Sequence, residues 1–113
     1  AANVVAIDND PQALIATKDN LLRNQLDDNL LQTCLPNAIP DIAADVVIAN
    51  ILAGPLVDLA PRISALLVGD GKLVLSGIMS HQVQAVTAAY PQINFSAPTI
   101  VADWVRLDGT KSG

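Results

Sequence analysis

The sequence predicts an α/β fold: a mostly parallel, doubly wound sheet that finishes in an antiparallel hairpin. Three observations lead there. Short apolar, β-branched runs alternate with stripes of Leu, Ile and Ala at helical spacing. The most strand-like run, Asp45 to Ala49 (DVVIA), is continuously apolar after its first residue, as a parallel strand covered on both faces must be. Hydrophobic residues make up 51% of the chain and aromatics only 3%, so the core is built from Ala, Val, Leu and Ile. With 113 residues the chain is one small domain or a piece of a larger one.

Asn3 to Ile7 reads as a buried strand ending in Asp8. Asp10 is a helix cap and Pro11 suits the first helical position. Leu14, Ile15, Lys18, Leu21, Leu22 and Gln25 then follow at helical spacing. Leu30 to Leu35 is a second strand, stopped by Pro36, and Asn37 to Ala43 is a loop. The DVVIA strand ends at Asn50. Pro55 to Leu67 reads as a helix with Leu56, Leu59, Ala60, Ile63 and Leu67 on its apolar face; Pro61 either kinks it or marks its true start. Gly69-Asp70-Gly71 is a turn, Lys72 to Ser76 a strand, Gly77 to Ser80 a loop, and His81 to Tyr90 a helix. Asn94 to Ile100 and Trp104 to Leu107 are too close for a crossover helix, so they form an antiparallel pair.

Charge and composition narrow the function. Net charge is −5 and all eleven acids are Asp. Six scattered Lys and Arg make no basic face, so no direct nucleic-acid binding is expected. The acidic balance suits solubility, and more weakly a basic protein substrate. Cys34 is the single cysteine, which rules out a disulfide framework and a thiolate metal cluster and fits a reducing, cytoplasmic setting. No apolar run is long enough to span a bilayer, and no signal peptide or metal site is expected.

In doubly wound sheets ligands sit beyond the carboxyl ends of the strands, where Asp8 and Asn50 stand. A carboxylate there can accept two hydrogen bonds from a ribose diol; a solvated turn residue, or a partner for the cap at Asp10, is the alternative. The Asn50 amide offers a carbonyl acceptor and an NH2 donor, and could aim an amine nucleophile; an Asx turn into the next helix is its alternative. Gly69-Asp70-Gly71 opens no helix after a strand, so it is no phosphate loop. His81 has no neighbouring acid or nucleophile and reads as a surface residue, Cys34 as a small hydrophobe, and Trp104 as packing on the last strand.

Val4 to Leu14 (VVAIDNDPQAL), with Asp19-Asn20 and Asn24, resembles the second strand and following helix of class I methyltransferases. Ala44 to Leu59 (ADVVIANILAGPLVDL) closely resembles the motif after a central strand in the ribosomal protein L11 methyltransferase family. Gly71 to Ile78 (GKLVLSGI) and Asp103 to Arg106 (DWVR) continue the likeness, which runs from near residue 1 to near residue 110. The resemblance implies a Rossmann-like methyltransferase sheet and makes residues 1–113 the C-terminal part of one catalytic domain. It implies an enzyme that moves methyl groups from S-adenosylmethionine to lysine side chains and the N-terminal amine of a ribosomal protein. Asp8 matches the acid that binds the cofactor ribose; Asn50 matches the asparagine at the cofactor's reactive end, cofactor-binding and catalytic at once. Asn9 stands where an apolar residue is more usual. A non-catalytic α/β domain for binding or assembly is the alternative; a nicotinamide-dependent oxidoreductase would need a Tyr/Lys or His/Asp pair that the sequence does not supply.

The family's first strand, its G-x-G-x-G loop and its substrate-recognising N-terminal domain do not occur in these residues, so the 113 residues alone are expected to be inactive. In the family's sheet the first strand lies between the strands that correspond to Val4–Ile7 and Asp45–Ala49. An empty slot there would leave several unpaired backbone groups at roughly 1–3 kcal/mol each, against a whole-domain stability of about 5–15 kcal/mol. Two repairs are expected: the flanking strands pair directly, or another chain donates a strand in a strand-exchanged oligomer.

Overall fold

A computed structural model describes residues 3–9, 31–40 and 42–112. The helix expected after Asp10, with Asp19, Asn20 and Asn24, lies outside the described residues. Among the described residues seven strands form one sheet: β1 (Val4–Asp8), β2 (Leu31–Cys34), β3 (Ala44–Asn50), β4 (Leu67–Met79), β5 (Ile93–Phe95), β6 (Thr99–Val101) and β7 (Trp104–Lys111). Three short α-helices accompany them among the described residues: α1 (Ala53–Asp58), α2 (Ala60–Leu66) and α3 (Val83–Ala88). The strand order is β2-β1-β3-β4-β7-β5, with β6 also paired to β7. The first four strands of that order are mutually parallel, and β7 runs antiparallel to β4, β5 and β6. The expected fold class therefore stands.

The flanking strands do pair directly. Val4 to Asp8 runs in register beside Val46 to Asn50, so the β1–β3 seam is a complete parallel ladder and no slot remains. Val5, Ala6 and Ile7 are buried in it.

Several element boundaries differ from expectation. The single helix expected from Pro55 to Leu67 is two helices that meet at Leu59, because Pro61 has no N–H to donate and enters at the start of α2. Its buried face is Ala53, Leu56, Ala60, Ile63 and Leu66, while Leu67 already belongs to β4. Tyr90, after α3, fills the core beneath and donates its hydroxyl to the Leu56 carbonyl at 2.7 Å, satisfying an acceptor in the last turn of α1. Lys111 does the same for α2, donating from Nζ to the carbonyls of Ser64 and Leu67 at 2.8 Å each.

Gly69-Asp70-Gly71 is an irregularity within β4 rather than a turn ahead of it: Ala44 pairs Leu67 and Val46 pairs Lys72, with Asp70 at φ 67°. Gly77 to Met79 is strand, not loop. β4 passes a second irregularity at Gly77 (φ 84°) and resumes pairing with β7 at Ile78 and Met79. The helix expected from His81 shortens to α3, with Ser80–Gln82 as a 3-10 turn. The strand expected from Asn94 to Ile100 splits into β5 and β6 around Pro98, which has no N–H for the ladder.

Candidate active site at the strand ends

The three residues closing β1, β3 and the middle of β4 lie side by side. Parallel register places Asp8 opposite Asn50 and Asn50 opposite Ser76. Each follows an apolar run, so the core holds the strands and the sequence turns polar where they emerge. Asn50 Nδ2 donates to Asp8 Oδ2 at 3.2 Å, and Ser76 Oγ donates to Asn50 Oδ1 at 3.1 Å. A file of hydrogen bonds thus crosses three neighbouring strands: hydroxyl, amide, carboxylate. Asp8 is half-buried and Asn50 exposed.

An open cleft of about 520 Å³ lies over the Asn50 and Ser76 end of this file, lined by these two with Asn9, Leu52, Gly77 and Trp104 among others. Its size falls in the usual range for small-molecule sites, roughly 300–1,000 Å³. Trp104, expected to pack on the last strand, is instead 52% exposed and forms an apolar wall of the cleft beside Leu52. Register explains this: Trp104 pairs with Met79 at the end of β4 that carries Ser76. The sequence reading missed Ser76 and Trp104. The available signal was position, since Ser76 ends the apolar LVL run on the strand that follows the Asn50 motif.

The other candidates lie elsewhere. Cys34 ends β2 and is buried, and that burial pushes its thiol above the ordinary range. His81 is exposed and borders a different cleft, with Val57, Asp58 and Gln82. No group of three or more metal-ligating side chains occurs among the described residues. No helix among them is long and apolar enough to cross a membrane.

The chain is similar to known proteins over its whole length. The family model described as ribosomal protein L11 methyltransferase matches residues 1–112. The ribosomal protein L11 methyltransferase of Idiomarina loihiensis is 49% identical over 114 residues, covering 100% of this chain and 39% of that protein. That of a Marinomonas species is 49% identical over 112 residues, covering 98% of this chain and 38% of its own length. The crystal structure of a ribosomal protein L11 methylase from Lactobacillus delbrueckii subsp. bulgaricus superposes with a TM-score of 0.72 at 28% identity, covering 100% of this chain and 60% of that one. The chain therefore spans about two fifths of the length of the relatives it matches in sequence.

Proposed function

The chain belongs to the ribosomal protein L11 methyltransferase family, and on that premise we propose that it supplies the ribose-binding and amine-facing part of an S-adenosylmethionine-dependent active site. The substrates are amino groups of a ribosomal protein, at lysine side chains and the N-terminus. The observation that supports this reading best is Asn50 at the carboxyl end of β3, lining a cleft with Ser76, Leu52 and Trp104 while Asp8 closes the neighbouring strand.

The residues present fit the cofactor. A half-buried carboxylate at the end of β1 suits a ribose diol, whose two hydroxyls donate to it. The cleft beside Asn50 joins a polar floor to an apolar wall of Leu52 and Trp104, the usual mixture for binding a small organic group. The cofactor supplies an electrophilic sulfonium methyl. When bound, it would be held at its ribose by Asp8 and would present that methyl to an amine facing Asn50. The protein's part is to position the amine and to hold it neutral, since a lysine ordinarily ionises near a pKa of roughly 10.4. Trp104 and Leu52 lower the polarity around the amine, which favours its neutral form. The Asn50 carbonyl accepts an N–H and so aims the lone pair.

The test is a graft in which these 113 residues replace the matching segment of the Idiomarina loihiensis relative. The graft transfers methyl from S-adenosylmethionine to the ribosomal protein, while the 113 residues alone transfer none above background. In the graft, Asp8→Ala weakens cofactor binding by about 1.5–3 kcal/mol, the scale of a charge-assisted hydrogen bond, and Asn50→Ala slows single-turnover transfer more than it weakens binding. Calorimetric titration and quenched-flow kinetics separate the two effects. Unchanged cofactor affinity in the Asp8 variant refutes its assignment.

A further inference from the structure

Asn50 carries two chemically different atoms on one amide, and its neighbours decide which way round they sit. An ionised carboxylate only accepts hydrogen bonds, so the NH2 end must face Asp8 Oδ2, 3.2 Å away. The carbonyl end is thereby turned to Ser76, whose hydroxyl donates to it across 3.1 Å. Reversing the amide would set two oxygens against each other at the Asp8 contact. Gly77 guards the other flank: its backbone lies so close that a Cβ there would stand 3.3 Å from Asn50 Oδ1 and 2.6 Å from the Ile51 carbonyl oxygen.

From this arrangement we infer that Ser76 is a positioning residue, which anchors the Asn50 carbonyl in the orientation an incoming amine requires. The inference rests on the methyltransferase reading and extends it to a residue that touches the reacting groups only through Asn50. Oδ1 has two lone pairs. Ser76 occupies one and leaves the second to accept an N–H in the cleft that both residues line. Without the hydroxyl, the amide keeps a single anchor at Asp8 and swings about its side-chain torsion, so the acceptor is aimed for only part of the time. Asn50 is exposed, so water competes for the vacated lone pair and the effect is one of orientation rather than stability.

Two measurements test this. In the isotope-labelled 113-residue chain, NMR relaxation of the Asn50 Nδ2 group reads its mobility directly. Ser76→Ala drops its order parameter below about 0.6, the flexible range, while Ser76→Thr, which keeps the hydroxyl, holds it near the parent value. In the graft, Ser76→Ala lowers kcat roughly three- to tenfold, the worth of one ordinary hydrogen bond, with cofactor affinity and KM for the protein substrate little changed. Ser76→Thr restores kcat. Equal losses in the Ala and Thr variants would mean that the site needs the shape of serine and not its hydroxyl, and would overturn the proposal. So would an Asn50 amide whose mobility ignores both substitutions. A parent graft that transfers no methyl counts against the methyltransferase reading instead, and the relaxation measurement then decides alone whether Ser76 holds the amide.

Discussion

Gly77 and Gly54 should respond to alanine with opposite signs, although both lie close to the Asn50 motif. Gly77 has φ 84° and a backbone oxygen, that of Ile51, 2.6 Å from where a Cβ would go. A left-handed conformation costs a residue with a Cβ roughly 1–2 kcal/mol. Moving a backbone carbonyl out of the way adds about 1–3 kcal/mol, as for other overpacked sites. The stiffer unfolded chain returns about 0.4–1 kcal/mol, so Gly77→Ala should destabilise by about 2–4 kcal/mol. Gly54 lies in α1, and no neighbouring atom comes within 4 Å of where its Cβ would stand, so a methyl group there meets no clash. Only helix propensity acts there, and Gly54→Ala should stabilise by about 0.5–1 kcal/mol. Urea unfolding followed by circular dichroism and by the fluorescence of Trp104, the one tryptophan, reads both. With a slope of about 1.5 kcal/mol/M, the Gly77 variant unfolds about 1.3–2.7 M earlier than the parent. A Gly77→Ala midpoint within about 0.3 M of the parent, equivalent to roughly 0.5 kcal/mol at that slope, would refute the reasoning. So would a Gly54→Ala chain that also loses stability.

Tyr90→Phe keeps the buried ring but strips the Leu56 carbonyl of its hydroxyl donor, and should cost about 1–3 kcal/mol in urea unfolding. Burial pushes the Tyr90 hydroxyl above its ordinary range, so the folded chain holds that proton more tightly than the unfolded chain. The stabilisation is complete below the unfolded value of about 10 and is lost as pH rises above it. Urea midpoints between about pH 9 and 11 should therefore fall more steeply for the parent than for the Phe variant; parallel slopes contradict the assignment. Lys111→Met keeps the aliphatic stem but loses both hydrogen bonds to the end of α2. It should cost about 1–2 kcal/mol, which a thermal melt reads as a Tm lower by about 4–8 °C per kcal/mol, and an unchanged Tm would show that water replaces the ammonium without loss.

Much of this architecture was legible in the sequence because burial and covalent chemistry leave marks at the level of single residues. VVAI and DVVIA are apolar without a break after the leading Asp45, and both are central parallel strands. Asp8 and Asn50 are the polar residues that end those runs, and they meet. What stayed hidden depends on pairing rather than on composition. Nothing local in LVGDGKLVLSGIM says that its first glycine pair bulges inside a strand, or that Gly77 interrupts pairing only briefly. Register with β3 on one side and β7 on the other decides both. Trp104 looked like core because large aromatics usually are, but it sits at the first position of β7, after a two-residue turn in which Ala102 takes φ 55°. There it has Met79 across the ladder and the cleft in front.

The two hydrogen bonds of Asn50 do not have equal standing. Its bond to Ser76 follows from the β3–β4 ladder, which the DVVIA and KLVLS strands make between themselves. Its bond to Asp8 follows from the direct pairing of β1 with β3. Neighbouring strands lie about 4.8 Å apart, within reach of two short side chains. Were a further strand to stand between β1 and β3, as the family resemblance implies for a longer chain, the two strand ends would lie about 10 Å apart and the Asp8 contact would break. The carboxylate would then face a ribose with no amide against it, and Asn50 would keep Ser76 as its remaining anchor among the three. The contribution of Ser76 should accordingly be larger in the graft than in the 113-residue chain. In the graft, Asp8→Asn should leave the mobility of the Asn50 amide unchanged, whereas in the 113-residue chain it should loosen that amide. Equal loosening in both proteins would mean that β1 and β3 stay neighbours in the longer chain as well.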